Sequence, residues 1–146
     1  MNSESIWFNK DVTIEDINKR GQGTIVSYID IVITECGDNF LKGTMPVNEK
    51  TIQPAHILHG GSSCVLAESL GSIAGNMVID TSKQMAVGQS ITASHIRPGI
   101  EGTTVTGKAY PIHLGKRSQI WEIEITNDQN KLVCKSSLTM AIVDKK

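Results

Sequence analysis

The sequence predicts an α+β fold in which one antiparallel β-sheet wraps around a single long central α-helix. Three observations carry this. Ser62 to Met77 is a run of small and apolar residues at helical spacing. After it the hydrophobic period changes from 3.6 to 2 and stays there. Before it lie two runs rich in β-branched and apolar residues. A chain of 146 residues suffices for one domain with a real core and is short for two, so residues 1–146 are read as one domain.

The elements follow in order. In TIEDINKRG, Thr13 and Asp16 have capping-box spacing, Ile14 and Ile17 share a face, and Gly21 stops a short helix. Thr24 to Thr34 reads as a strand with Ile25, Ile29, Ile31 and Ile33 on one face. The turn CGDN leads to a second strand, FLKGTMPV. The central helix starts at Gly60 or Gly61, and about nineteen residues make it roughly 28 Å long.

Four strands come next: QMAVGQSITASHIRP, ended by Pro98 and Gly99, then TTVTGKAYPI, RSQIWEIEIT and KLVCKSSLTMAIV. In the third, Trp121, Ile123 and Ile125 alternate with Glu122 and Glu124. The expected order is helix, two strands, long helix, then four strands joined by hairpins. A sheet burying the helix on most sides suits its apolar circumference, and this is the hotdog arrangement.

A net charge of −1 with Lys and Arg scattered singly argues against nucleic-acid binding and a polybasic membrane contact. Cys36, Cys64 and Cys134 are an odd number without CxxC spacing, which reads as reduced thiols. The N-terminus lacks a basic-then-apolar signal pattern, and no apolar run approaches the length of a membrane span. The expectation is a soluble cytoplasmic protein.

Glu68 is the one carboxylate in the central apolar segment, where a charge is costly unless it is paired or used. A structural ion pair would explain it. So would a site, because Ser72 shares its helical face and Gly71 and Gly75 remove neighbouring side chains. The preceding HGG puts glycines at a helix N-terminus, where free N–H groups can hold a carbonyl or simply make a turn.

His59 adjoins those donors and can orient a substrate. His56 completes an HxxH spacing, yet no third ligand supports a metal. Cys64, one turn in, reads as a small buried hydrophobe. The basic residues of ASHIRPG and IHLGKRSQ are solvated loop charges or phosphate contacts.

Together QPAHILHGGSSCVLAESLGSIAG, HIRP and HLGKRSQIWEIEI closely resemble the hotdog acyl-CoA thioesterases of the dihydroxynaphthoyl-CoA and enterobactin-proofreading type, from about Gln53 to Val143. The resemblance implies that Glu68 is nucleophile or general base and that the Gly60 N–H receives the thioester carbonyl. Gln53 and His59 would position carbonyl and leaving thiol, and Ser72 would orient the water or the carboxylate.

By the same likeness Gly88, His95, Ile96, Arg97 and Pro98, with His113, Leu114, Gly115, Lys116, Arg117 and Ser118, would contact CoA. That CoA is part of the substrate; no separate cofactor or metal is implied. Ala55-His56 departs from the bulky residue and glycine frequent in relatives, beside the expected acyl pocket. A hotdog module that binds acyl-CoA without cleaving it is the alternative; for a hotdog dehydratase, the usual histidine on or near the central helix is not matched here beyond His59.

Spacing adds a constraint. Glu68 lies eight residues beyond Gly60, roughly 12 Å along a helix. A carbonyl at the Gly60 N–H must also stand about 3 Å from its attacking group. Two antiparallel helices across a two-fold axis meet both demands. The expectation is a homodimer with composite sites, paired again into the tetramer that the resemblance implies.

Overall fold

The computed structural model describes residues 4–146. Helix α1 spans Ile14–Arg20 and opens on the expected capping box: Thr13 Oγ1 accepts from the Asp16 N–H at 3.1 Å, and the Asp16 carboxylate accepts back from the Thr13 N–H at 3.0 Å. Asn18 ties this helix to the sheet, accepting from the Ile33 N–H and donating to the Ile33 carbonyl.

The expected strand from Thr24 is half helix. Ile25–Tyr28 form one turn, α2, capped by Thr24 Oγ1, which accepts from the Val26 N–H. Asp30 turns the chain at a φ of 58°, and β1 begins only at Val32 (Val32–Cys36). Alternation put Ile29, Ile31 and Ile33 correctly in the core, but Ile25 is 57% exposed. The hydroxyls of Thr24 and Ser27 supply local backbone bonds that compete with a strand ladder.

The remaining elements are β2 (Leu41–Pro46), α3 (Gly60–Val78), β3 (Gln84–His95), β4 (Thr104–Leu114), β5 (Ser118–Thr126) and β6 (Leu132–Asp144). They form one antiparallel sheet in the order β1-β2-β4-β5-β6-β3. The four late strands are therefore not a run of hairpins. After β3 the chain crosses the end of the sheet, docks Gly99 on the Leu58 N–H, and enters between β2 and β5. Pro98, with no N–H to donate, ends β3 instead of turning back on it.

Trp121, Ile123, Ile125, Leu138 and Met140 fill the concave face and enclose Leu66, Ala67, Leu70 and Ala74 of α3. Gly71 and Gly75 belong to this packing and do not clear the Glu68 face. A Cβ on Gly71 would stand 2.6 Å from Leu138 Cδ2, and one on Gly75 2.6 Å from Gln119 Oε1. Buried Gln119 donates to the Gly75 carbonyl at 3.1 Å and accepts from Trp121 Nε1, fixing helix to sheet.

The sheet covers only one side of α3. Glu68 is exposed, and Val65, Ser69, Ser72 and Ile73 are half-buried on the open side. Asn76 borders it. Its amide donates to the Ser72 and Ala86 carbonyls, both at 2.9 Å, and accepts from the Ala86 N–H at 3.0 Å. It thus occupies both outward backbone groups of β3 at a buried residue.

Replacing Asn76 by Ala leaves those Ala86 groups without their partner. Burial without a hydrogen bond costs about 1–3 kcal/mol, so the urea midpoint of Asn76→Ala is expected to fall with little change in m-value. An unchanged midpoint would show that water replaces the amide at no cost.

Candidate active site

The approach to α3 is set by backbone bonds. The His59 N–H donates to the Thr51 carbonyl, and the Leu58 N–H donates to that of Gly99. His59 is the N-cap, its Nδ1 accepting from the Gly61 N–H at 2.8 Å. That bond requires an unprotonated Nδ1, so the neutral ring carries its proton on Nε2. The N–H groups of Ser62 and Ser63 turn to the His59 carbonyl. Among the described residues no acceptor meets the Gly60 N–H. One donor therefore remains at the positive end of the helix.

That donor opens into a hollow of about 520 Å³ lined by Gln53, Gly60, His95, Ile96, Arg97 and Pro98, among others. Gln53 Oε1 accepts from the Ala55 N–H, leaving its NH₂ group for a ligand. A Cβ on Gly60 would stand 2.8 Å from His95 Nε2, so only glycine admits that ring. Arg97 donates from Nη1 to the Leu132 carbonyl at 2.8 Å.

Glu68 occupies a second hollow, about 390 Å³, with Val65, Ser69, Ser72, Ile73 and, from α2, Ile25 and Val26. Among the described residues its carboxylate has neither ion pair nor hydrogen bond, so a structural ion pair does not explain it. Gly88 faces it: a Cβ there would stand 2.5 Å from Glu68 Oε1. Ser72 and Ile73 also line a third hollow, about 440 Å³, with Phe8, Val12, Ile17 and Met77. Burial, and then the Glu68 charge, push the Cys64 thiol up, which keeps it a thiol and not a thiolate.

His113 to Ser118 span the end of β4, the turn and the start of β5, closed by the Gly115 N–H on the Ser118 carbonyl, with Arg117 paired to Asp144 at 3.2 Å. Leu114, Gln119, Met140 and Gly88 share one row across the sheet, whereas His95 lies in the row of Cys134 and Ile125. Seven residues separate Gly88 from His95, roughly 23 Å along a strand. A single chain therefore gathers Gln53, His59, Gly60 and His95 to Pro98 at one end. Glu68, Ser72 and Gly88 meet in the middle, and His113 to Ser118 lie beyond them.

His56 does not border these hollows as expected. It sits in a left-handed turn at φ 63°, 73% exposed in its side chain, with Nδ1 3.1 Å from Glu101 Oε2. A glycine would suit that backbone better, by about 1–2 kcal/mol. His56 and His59 face different partners, which removes any joint use of the HxxH spacing.

The lining residues of α2 were missed because their segment reads as strand. Thr24 and Ser27, spaced as helix-start hydroxyls, were the available signal. Phe8 and Val12 carry no periodicity, so nothing in the sequence marks their approach to Ile73 and Met77.

The chain is similar to known proteins in sequence and fold. A family model described as Thioesterase superfamily matches residues 55–134. The chain is 46% identical over 138 residues to the 1,4-dihydroxy-2-naphthoyl-CoA hydrolase of Escherichia coli K12, covering 94% of this chain and 99% of that one. It is 44% identical to a proofreading thioesterase of Cronobacter sakazakii, covering 94% and 98%. A crystal structure of a Haemophilus influenzae thioesterase, 40% identical, matches with a TM-score of 0.90 over 95% of each chain.

The N-cap bond of His59 can be separated from any chemistry of its ring. His59→Ala is expected to lower stability by about 1 kcal/mol, whereas His59→Asn, whose side chain caps as well, should not. Urea unfolding of both variants checks this; equal losses would show that the cap contributes nothing.

Proposed function

The chain belongs to the thioesterase superfamily and is a thioester hydrolase, and from that premise we propose that it hydrolyses aromatic acyl-CoA thioesters to the free acid and CoA. The observation that carries this is the unpaired Glu68 carboxylate, standing over the space that Gly88 leaves open. A thioester carbonyl is electrophilic enough that a carboxylate, an aimed N–H and a water suffice. Glu68 activates the water or attacks directly; the Gly60 N–H, helped by the free NH₂ of Gln53, holds the carbonyl as its oxygen gains charge. His59 offers its Nε2–H beside them, and Ser72 orients the water or the carboxylate.

The acyl group fits the hollow behind Ser72. Phe8, Val12, Ile17, Ile73 and Met77 give it an apolar side, Arg20, Asn76 and Asp80 lie on its polar side, and about 440 Å³ admits an aryl ring system. The Escherichia coli relative, which by its name acts on a naphthoyl thioester, supports an aromatic group. CoA would lie along Gly88, His95 to Pro98 and the segment His113 to Ser118. Arg97 keeps guanidinium donors free of its one carbonyl bond, and Lys116 and Arg117 add charge for phosphates.

These parts meet only across a two-fold axis. The 12 Å rise from Gly60 to Glu68 and the roughly 23 Å between Gly88 and His95 are too long for one site. The uncovered side of α3 and the mostly exposed edge strand β3 lie where a second copy would pair. We infer a homodimer in which Glu68 of one copy faces Gly60 of the other. Met85, Val87 and Val143, exposed on the outer side of the sheet, suit pairing of two dimers into a tetramer.

Glu68→Gln is expected to lower kcat by about 10² to 10⁴ with KM within a few-fold, read as thiol release with DTNB. Retention of a tenth of the activity would remove Glu68 from the chemistry.

The composite site has its own test. Glu68→Ala and His59→Ala subunits, each nearly inactive alone, are co-expressed. Random pairing makes about half the molecules heterodimers with one intact site, so roughly a quarter of wild-type activity should return. A purified heterodimer as inactive as its parents would place the site within one chain.

A further inference from the structure

The proposed reaction leaves one proton unassigned. Cleaving the C–S bond releases a thiolate, and an alkyl thiolate leaves faster when a proton reaches the sulfur as the bond breaks. Five polar side chains line or flank the Gly60 hollow: Gln53, His59, Ser63, His95 and Arg97. Four cannot deliver that proton. Gln53 does not ionise, and the Ser63 hydroxyl would be left as an alkoxide. Arg97 stays charged throughout. His59 is held by the Gly61 N–H as a neutral ring, so losing its Nε2 proton would leave an imidazolate.

His95 differs from all four. Among the described residues neither of its ring nitrogens has a hydrogen-bond partner. Its Nε2 lies 2.8 Å from where a side chain on Gly60 would begin, hence beside the free N–H that receives the carbonyl. It stands on the last residue of β3, whose backbone is fixed by pairing with Cys134 of β6. Imidazole gains and loses protons between about pH 5 and 8.

We propose that His95 is the proton donor to the leaving thiol, a role beyond contact with CoA; the assignment rests on the thioesterase reading given above. Glu68 takes a proton from water as its oxygen bonds to the carbonyl carbon, giving an oxyanion at the Gly60 N–H. That intermediate collapses, the C–S bond breaks, and the sulfur takes the Nε2 proton of the His95 imidazolium. The products are the acid and the thiol. Glu68 then releases its proton to solvent, and His95 regains one from it.

The test compares two thioesters of the same aroyl group, one on CoA and one on an aryl thiol whose thiolate leaves without help. With the CoA thioester, His95→Gln and His95→Ala should each lower kcat about 10² to 10⁴-fold. With the S-aryl thioester the loss should be under about tenfold, because the leaving group no longer needs the proton. Equal losses on both substrates would show that the ring only packs, a raised KM for the CoA thioester with kcat unchanged would show that it only binds CoA, and no loss on either would remove it from the reaction; each of these outcomes overturns the proposal. Glu68→Gln serves as the control and should lose activity on both thioesters. Its retention would overturn the base assignment while leaving the leaving-group comparison for His95 intact.

Discussion

The rigid rise of one helix governs this molecule. At 1.5 Å per residue, α3 sets Gly60 and Glu68 about 12 Å apart along its axis, and no loop can shorten that rise. The helix end supplies a donor and the helix middle a carboxylate, the two groups to which the proposed hydrolysis gives the carbonyl and the attack. The sheet leaves the side of α3 that bears Glu68 uncovered. In the proposed homodimer this side, where Glu68 stands among half-buried Val65 and Ile73, is the one the second copy would cover.

Holding that helix still requires more than apolar contact. Gly71 and Gly75 let it lie close against Leu138 and Met140, and each lacks a side chain that would collide there. Gln119 bonds to a helix carbonyl from the floor of the sheet, while Asn76 reaches from the helix to the edge strand. Every buried side-chain polar atom among the described residues has a partner. Glu68 and Gly88, which lie on α3 and β3, are therefore held at a fixed spacing by Asn76 one side and the core the other.

Much of this was legible in the sequence because its signals are periodic or local. The capping box at Thr13, the long helix from Gly60 and the alternation of Trp121, Ile123 and Ile125 each express one element's own geometry. What could not be read was set by partners. Alternation from Ile25 to Ile33 looked like one strand, since a local turn at Asp30 keeps the later isoleucines in phase. The course of β3 to the sheet edge depends on long-range pairing with β6. The Glu68 and Ser72 stripe was found from helical spacing, but Gly71 and Gly75 were assigned to the wrong face because a sheet approaching from the other side leaves no local trace.

Two other glycines show what spacing alone conceals. Gly60 and Gly88 are absent side chains at which a functional group arrives from a different element: the His95 ring at the first, the Glu68 carboxylate at the second. In each case helix and strand exchange roles, α3 presenting the gap to a side chain of β3 at one end and β3 presenting the gap to a side chain of α3 in the middle. The two junctions lie seven residues apart on β3 and eight apart on α3. A strand rises about 3.3 Å per residue and a helix 1.5 Å, so the elements diverge between the junctions and cannot bring them together within one chain. In the proposed homodimer, a second copy reversed against the first would set one junction opposite the other. The same mismatch of rise that separates the halves of the proposed site in a monomer therefore makes a two-fold pair the economical way to join them.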